Sequence, residues 1–459
     1  MRTIVLQLIV GTAGLLLFLI AVIIVNKAMR EVRESVESRR RAAFEPALAV
    51  YLGSADSRSI LSYLPRRLGR RDRRIVETLL AEAAAAGAQR ETAIGRRVAA
   101  IADRRLVAAV GGNNAIAAPA AAVVRDEARG RATAAFEALG SVDRALGDLD
   151  SHRWWRRAEA AERLGVMRCP RAADRLVRLM GDDVGEVRMR AAAALGLIRG
   201  ATSIRPLVAA LSDPSRWSAI RVAEILVGVG HEAVDELLPA WDNLPRHARL
   251  SALDILARLR TPRARDLMRR CLSDPSADIR ARAAHGLGLI GDIGSVDALQ
   301  EGLGDGAWPV RAMAAKALGR VGSPVAVPAL ARALEDREWW VRANAGEALR
   351  HLGDAGREAL VGMLDASDPY ARHQAVAQLE EGGVLDGWIA DLGSPDEARR
   401  GSALRAIEKI IALGRTDHLA HQAASIAEEG VRRFLTEALR RAAPAESDEG
   451  ADRDAGGSR

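Results

Sequence analysis

An arginine followed by small and apolar residues returns through the last two-thirds of the chain. The clearest copies are VRMRAAAALG at 187–196, IRARAAHGLGLIG at 279–291, VRAMAAKALGRVG at 310–322 and VRANAGEALRHLG at 341–353. Aligning them gives a ladder of Arg157, Arg188, Arg221, Arg249, Arg280, Arg311, Arg342, Arg372 and Arg400, with successive spacings of 31, 33, 28, 31, 31, 31, 30 and 28. Self-similarity at a fixed period of this size marks an array of supersecondary units, each too small to bury its apolar face alone. The chain must then grow by stacking such units, and its 459 residues do not need to divide into two or three separate cores.

One unit reads as DIGSVDALQEGLGDGAWPVRAMAAKALGRVG, at 292–322. The pattern predicts a first helix from about Ser295 to Leu303, a turn at Asp305-Gly306, and a second helix from about Pro309 to Val321 closed by Gly322. The turn recurs as Asp213-Pro214, Asp274-Pro275 and Asp368-Pro369, and Asp182 and Asp336 occupy the same place in other units. Small residues fall three and four places after the arginine, at Ala191/Ala192, Ala283/Ala284, Ala314/Ala315 and Ala345/Gly346. A leucine follows at seven, as Leu195, Leu287, Leu318 and Leu349. These positions share one helix face and define the candidate core. The unit at 217–230 departs from the pattern, with Glu224 and Gly228, and 395–443 drifts into a terminal cap.

The Asp-Pro turn, the Val-Arg start of the second helix, the Ala-Ala pair and the Leu-Gly end together resemble HEAT repeats, of the short type found in phycobilisome-lyase-like proteins. The resemblance covers roughly 141–443. It implies an all-α fold: a right-handed α-solenoid of about nine two-helix repeats. It also implies that the turn aspartate pairs with the arginine six places on. Those pairs would be Asp182 with Arg188, Asp274 with Arg280, Asp305 with Arg311, and Asp336 with Arg342. HEAT arrays are mostly binding scaffolds, so the resemblance implies a protein partner and no catalytic centre. Two alternatives follow from other members: a bilin-lyase-like or other modifying enzyme, and a nucleic-acid-binding protein.

Composition bears on those alternatives. Hydrophobic residues are 49% of the chain but aromatics only 3%, which suits closely packed helices and not sheet cores. The net charge is +7, yet residues 151–443 carry 42 basic and 39 acidic side chains. That balance lacks the concentrated basic face of a nucleic-acid binder. Cys169 and Cys271 suggest neither a disulfide framework nor a metal site. No phosphate loop, nucleophile elbow or paired catalytic carboxylates are found, and no cofactor is implied.

The amino-terminal region carries a different signal. The stretch from Ile4 to Val25 contains no charged residue. As a helix it would extend about 33 Å, enough to span a bilayer core. Six Lys or Arg lie between Asn26 and Arg41. The expectation is a single-pass anchor at 4–25 in an inner or plasma membrane, its body cytoplasmic by the positive-inside rule. A partner that is itself a membrane or envelope enzyme fits such an anchor. Residues 26–140 read as a charged helical capping region, with a juxtamembrane helix over 27–43 and two short helices after it. Arg66, Arg67, Arg70, Arg71, Arg73 and Arg74 are candidates for contact with anionic lipid. The tail 444–459 is polar and net acidic, with the composition of a disordered segment.

The candidate partner-binding residues are tryptophans. Trp154-Trp155 and Trp339-Trp340 stand three and two places before Arg157 and Arg342, Trp308 three before Arg311, and Trp217 four before Arg221. On a turn between helices they could anchor a partner, or instead fill the gap between adjacent repeats. His231-Glu232 is a single His-Glu dyad, too little for the two-iron site that HEAT-like hydroxylases build from several. Asp417, His418 and His421 share a helix face, but no further ligand completes a metal site.

Overall fold

The computed structural model describes residues 2–53, 59–65, 68–85, 97–98, 100, 127–128, 130–423 and 429–442, with side chains from Val22 onward except at Ala85 and Ala442. The described residues are helical throughout, with turns and short 3-10 segments between helices and no strand. The chain divides into two compact units, Met1–Leu207 and Val208–Arg459.

In the first unit a long helix, Arg2–Gly53, packs on helix Arg70–Ala85. The sequence pattern predicts that the juxtamembrane helix stops near residue 43, with short helices beyond. The structure instead continues one helix through Pro46 to Gly53. An internal proline costs about 3 kcal/mol. Burial offsets it: Leu48, Ala49, Tyr51 and Leu52 are all buried. Tyr51 Oη donates to the Arg131 carbonyl at 3.1 Å, and Arg131 returns a bond to the Tyr51 carbonyl at 3.0 Å. Ion pairs tie the same helices, Arg40 to Asp72 at 2.7 Å and Arg41 to Glu82.

Helix Ser141–Asp148 then leads to the first clear repeat, where Trp154–Val166 packs along Gly185–Ile198. Gly165 sits where these two helices meet. A Cβ there would lie 2.6 Å from the Ala194 Cα, so only glycine permits this approach.

In the second unit the second helices of successive repeats pack in order: Ala219–Val229, Arg246–Arg258, Ala277–Ile290, Trp308–Val321, Trp339–His351 and Pro369–Glu381. The shorter first helices, among them Arg265–Cys271, Val296–Gly302 and Val327–Ala333, pack beside them. The core is the face read from the sequence: Ala283, Ala284, Ala314, Ala315, Ala345, Leu287, Leu318 and Leu349 are fully buried. In the unit at 217–230, where the small residues are missing, Val222, Leu226 and Val229 fill the core instead.

Many of the second helices are closed by a residue in the left-handed region. Gly291, Gly322, Gly353, Gly383 and Gly414 have φ between 66° and 75°. At matching places Arg168, Arg199 and Arg260 adopt φ of 48°, 64° and 47°, a conformation that strains a residue bearing a Cβ.

The amino-terminal expectation is corrected. Among the described residues no helix is long and apolar enough to cross a membrane, which overturns the single-pass location in an inner or plasma membrane. Where the side chains of the first helix are described, only Val22–Val25 precede Asn26 and Lys27, and charges then recur every few positions through Arg41. The side chains of 4–21, most of the expected span, lie outside the described residues, as do Arg66, Arg67 and the tail 444–459.

Candidate functional site

The ladder arginines sit one turn into their second helices and reach back over the preceding turn. The shared contact is from Nη1 to the backbone carbonyl six places earlier. Arg157 donates to Ser151 at 2.9 Å, Arg188 to Asp182 at 2.8 Å, Arg280 to Asp274 at 2.8 Å and Arg311 to Asp305 at 2.9 Å. Arg342, Arg372 and Arg400 do the same to Asp336 at 2.7 Å, Ala366 at 2.6 Å and Ser394 at 2.8 Å. The six-place contact therefore runs through the carbonyl. The carboxylate of the turn aspartate goes instead to the ladder arginine of the preceding repeat.

Three such clasps have the same geometry. Nε and Nη2 of Arg157 grip Asp182 at 2.7 and 2.9 Å, those of Arg280 grip Asp305 at 2.7 and 2.8 Å, and those of Arg311 grip Asp336 at 2.6 and 2.8 Å. Each aspartate also accepts from the backbone N–H two places on, which shapes the turn: Val184, Ala307 and Glu338, at 2.8 to 2.9 Å. The Asp274 carboxylate makes the same turn bond to Ser276 N–H. Planar two-point pairing of this kind fixes orientation as well as distance. The hydrogen bonds from Arg157 and Arg280 hold Asp182 and Asp305 below the ordinary carboxylate range. For Asp336, burial works against ionisation, but the bonds from Arg311 and the Glu338 N–H outweigh it.

Arg249 and Arg342 meet aromatic rings instead. Arg249 stands at the matching place before Asp274, yet it lies 5.4 Å from the centre of the buried Trp241 ring and donates to the carbonyls of Trp241 and Asp242. Arg342 has Ser367 at the matching place and lies 5.0 Å from the Tyr370 ring centre instead. A second clasp, invisible in the sequence pattern, joins the first helices. Arg269 grips buried Asp292 at 3.0 and 2.6 Å, and Ser295 donates to the same carboxylate.

Within each unit such bonds hold the turns beside the exposed tryptophans. Five of the six candidates are exposed: Trp154 48%, Trp155 45%, Trp308 41%, Trp339 54% and Trp340 57%. Trp217 is buried at 8% and fills its repeat. Trp339 and Trp340 meet edge-on, with ring centres 4.7 Å apart. Tyr370, 65% exposed, continues the edge in the next repeat. Sequence reading missed it, although the signal was present: 308, 339 and 370 fall at the period of the ladder. Arg70, Arg71 and Arg74 are exposed on the first turns of helix Arg70–Ala85, where Arg73 is half-buried and Asp72 is taken by Arg40.

Other candidates do not converge. Among the described residues no group of three or more His, Cys, Asp or Glu is placed to hold a metal ion. His418 Nε2 lies 2.9 Å from Asp386 Oδ1, away from any third ligand. Cys169 and Cys271 are buried free thiols, and desolvation pushes Cys271 up to about 11.

The sequence matches the HEAT repeat model over residues 144–228, 234–310 and 297–380, more than half of the chain. The chain belongs to the HEAT repeat family. No curated protein matches it. Among solved structures, human deoxyhypusine hydroxylase is 24% identical over 53% of this chain and 96% of its own, with a TM-score of 0.24. The CpcE–CpcF complex of the Nostoc phycocyanin lyase is 20% identical over 59% and 94%, with a TM-score of 0.27. The karyopherin Kap121p, bound to the extreme C-terminus of the phosphatase Cdc14p, is 12% identical over 80% and 50%, with a TM-score of 0.41. At these scores none of the three carries an argument about activity or partner.

Proposed function

We propose that this HEAT repeat protein is a non-enzymatic scaffold that holds another protein along the turn edge of its repeats. The observation that supports this reading is the row Trp308, Trp339, Trp340 and Tyr370, exposed at the second-helix starts of three consecutive repeats in a chain with 3% aromatics. With 150–250 Å² per tryptophan, these three leave roughly 230–380 Å² in water, near the size of a functional patch. Aromatic side chains on a rigid support make efficient anchors, because little freedom is lost on binding. Here the support is the Arg280–Asp305 and Arg311–Asp336 clasps.

The experiment is in-cell crosslinking of the full-length protein with mass spectrometric mapping, run on wild type and W339A/W340A. Partner crosslinks should cluster around 308, 339 and 370 and fall by at least about tenfold in the variant. A variant that folds and keeps the wild-type crosslinks removes this edge as the binding site.

A further inference from the structure

We propose that His152–Arg156 in the first unit docks an acidic segment of a partner protein, one that also carries an apolar anchor. This rests on the scaffold reading and adds the partner's chemistry. All five residues, His-Arg-Trp-Trp-Arg, are exposed in a row. The guanidinium carbons of Arg153 and Arg156 lie 5.9 and 5.3 Å from the Trp155 ring centre. Among the described residues neither arginine has an ion-pair partner. Two carboxylates nearby in sequence are engaged elsewhere, Asp150 with Arg175 at 3.5 Å and Glu159 with Arg163 at 2.6 Å. Asp183, exposed at the next turn, acts on Arg157, and even counted against Arg153 and Arg156 it leaves the patch cationic.

Three features make this a site for an acidic ligand. A guanidinium stacked on an indole keeps its N–H edge free, in the fork that matches a carboxylate. Arg156 and Arg157 stand in the first turn of helix Trp154–Val166; that turn holds no acidic residue, and the helix start has no side-chain cap. Cations at that end oppose the helix dipole. Asp182 neutralises Arg157, but nothing described neutralises Arg156, so the fold carries a local conflict that an incoming anion relieves. Finally, the backbone beneath is held in place: Arg157 Nη1 bonds the Ser151 and His152 carbonyls at 2.9 and 3.3 Å. The binding surface is thus formed before the ligand arrives. The patch is short and the surrounding repeats are near charge balance, which suits a peptide better than the long phosphate track of a nucleic acid.

The test is fluorescence anisotropy with full-length protein and a short fluorescein-labelled peptide of Asp and Glu around a Leu-Phe pair. Two further probes are the same peptide with Asn and Gln for the acids, and oligothymidylate of equal length. The acidic peptide should bind, and lose affinity severalfold between low and physiological salt. R153E/R156E should weaken it by at least about tenfold, with R153Q/R156Q intermediate. W155A should weaken it as well, and W339A/W340A should not. Absence of binding, equal binding of the neutral peptide, tighter binding of oligothymidylate, or natively folded R153E/R156E with unchanged affinity each overturns the proposal. If these fail while W339A/W340A still lowers partner crosslinks, the scaffold reading stands and this inference falls.

Discussion

Removing the Asp336 carboxylate tests the repeat clasp directly. In D336A, Arg311 loses two charge-assisted bonds, of 2.6 and 2.8 Å, and the Glu338 N–H loses its 2.9 Å acceptor. The pair is well shielded, with side-chain exposures of 8% and 13%. Breaking a buried pair on one side costs about 3–5 kcal/mol, because the remaining charge stays desolvated. The Nη1 bonds from Arg311 to the Asp305 and Gly306 carbonyls persist, which places the expected loss near the lower figure. D354A, which removes an exposed pair with Arg357, should cost at most about 1 kcal/mol.

The assay is urea unfolding followed by circular dichroism. Repeat arrays need not unfold in one step, so hydrogen exchange in Trp308–Val321 and Trp339–His351 serves to localise the change. Double-mutant cycles then separate the two candidate partners of Arg311. The coupling to Asp336, in the turn of the following repeat, should exceed that to the Asp305 side chain, in the turn that Arg311 itself spans. A larger coupling to Asp305, or a D336A loss no greater than that of D354A, refutes the inter-repeat clasp.

Further outcomes follow from the same geometry. Asp182 and Asp305 are held below their ordinary range by Arg157 and Arg280; their stabilisation is full above the unfolded value of about 3.9 and is lost as pH falls through the lowered folded values. Urea midpoints measured from neutral to about pH 3 should therefore drop in wild type, and drop less in D182N/D305N, which starts lower. In G319A the new Cβ would meet the Ala348 Cα and Cβ at 2.7 Å; forcing these helices apart should cost about 1–3 kcal/mol in the same assay. R260G relieves a φ of 47° and should raise stability by up to about 1 kcal/mol, where a loss would show that the arginine side chain matters more than its backbone strain. Cys271, pushed up to about 11, should react with a thiol reagent near pH 8 only on unfolding, as judged by labelling with and without urea.

The repeat face was legible because it is local. Alanines at three and four and leucine at seven after Arg280 or Arg311 must share one side of a helix whatever surrounds them, and the structure buries them all. The stop at Gly322 was legible for the same reason, since glycine is tolerant of positive φ; those at Arg168, Arg199 and Arg260 were not. The candidate edge was only half legible. The spacing places the tryptophans on turns, but Trp217 is buried and Trp308 exposed from nearly the same register, a difference the spacing alone does not carry. The pairing of Asp336 was misplaced for a related reason: Arg342 does reach the Asp336 residue, but at its carbonyl, while the carboxylate faces Arg311.

From the sequence alone, then, came the period, the helical class, the buried stripe and the helix stop at Gly322. The stripe and the stop depend on residues within about two helical turns of one another, and the period is that local pattern repeated. Tertiary structure alone decided which arginine each aspartate grips, which tryptophans face water, and that the first helix runs through Pro46. Those outcomes depend on how one repeat or helix lies against the next, as in the close approaches at Gly165–Ala194 and Gly319–Ala348, and not on the spacing of residues along the chain.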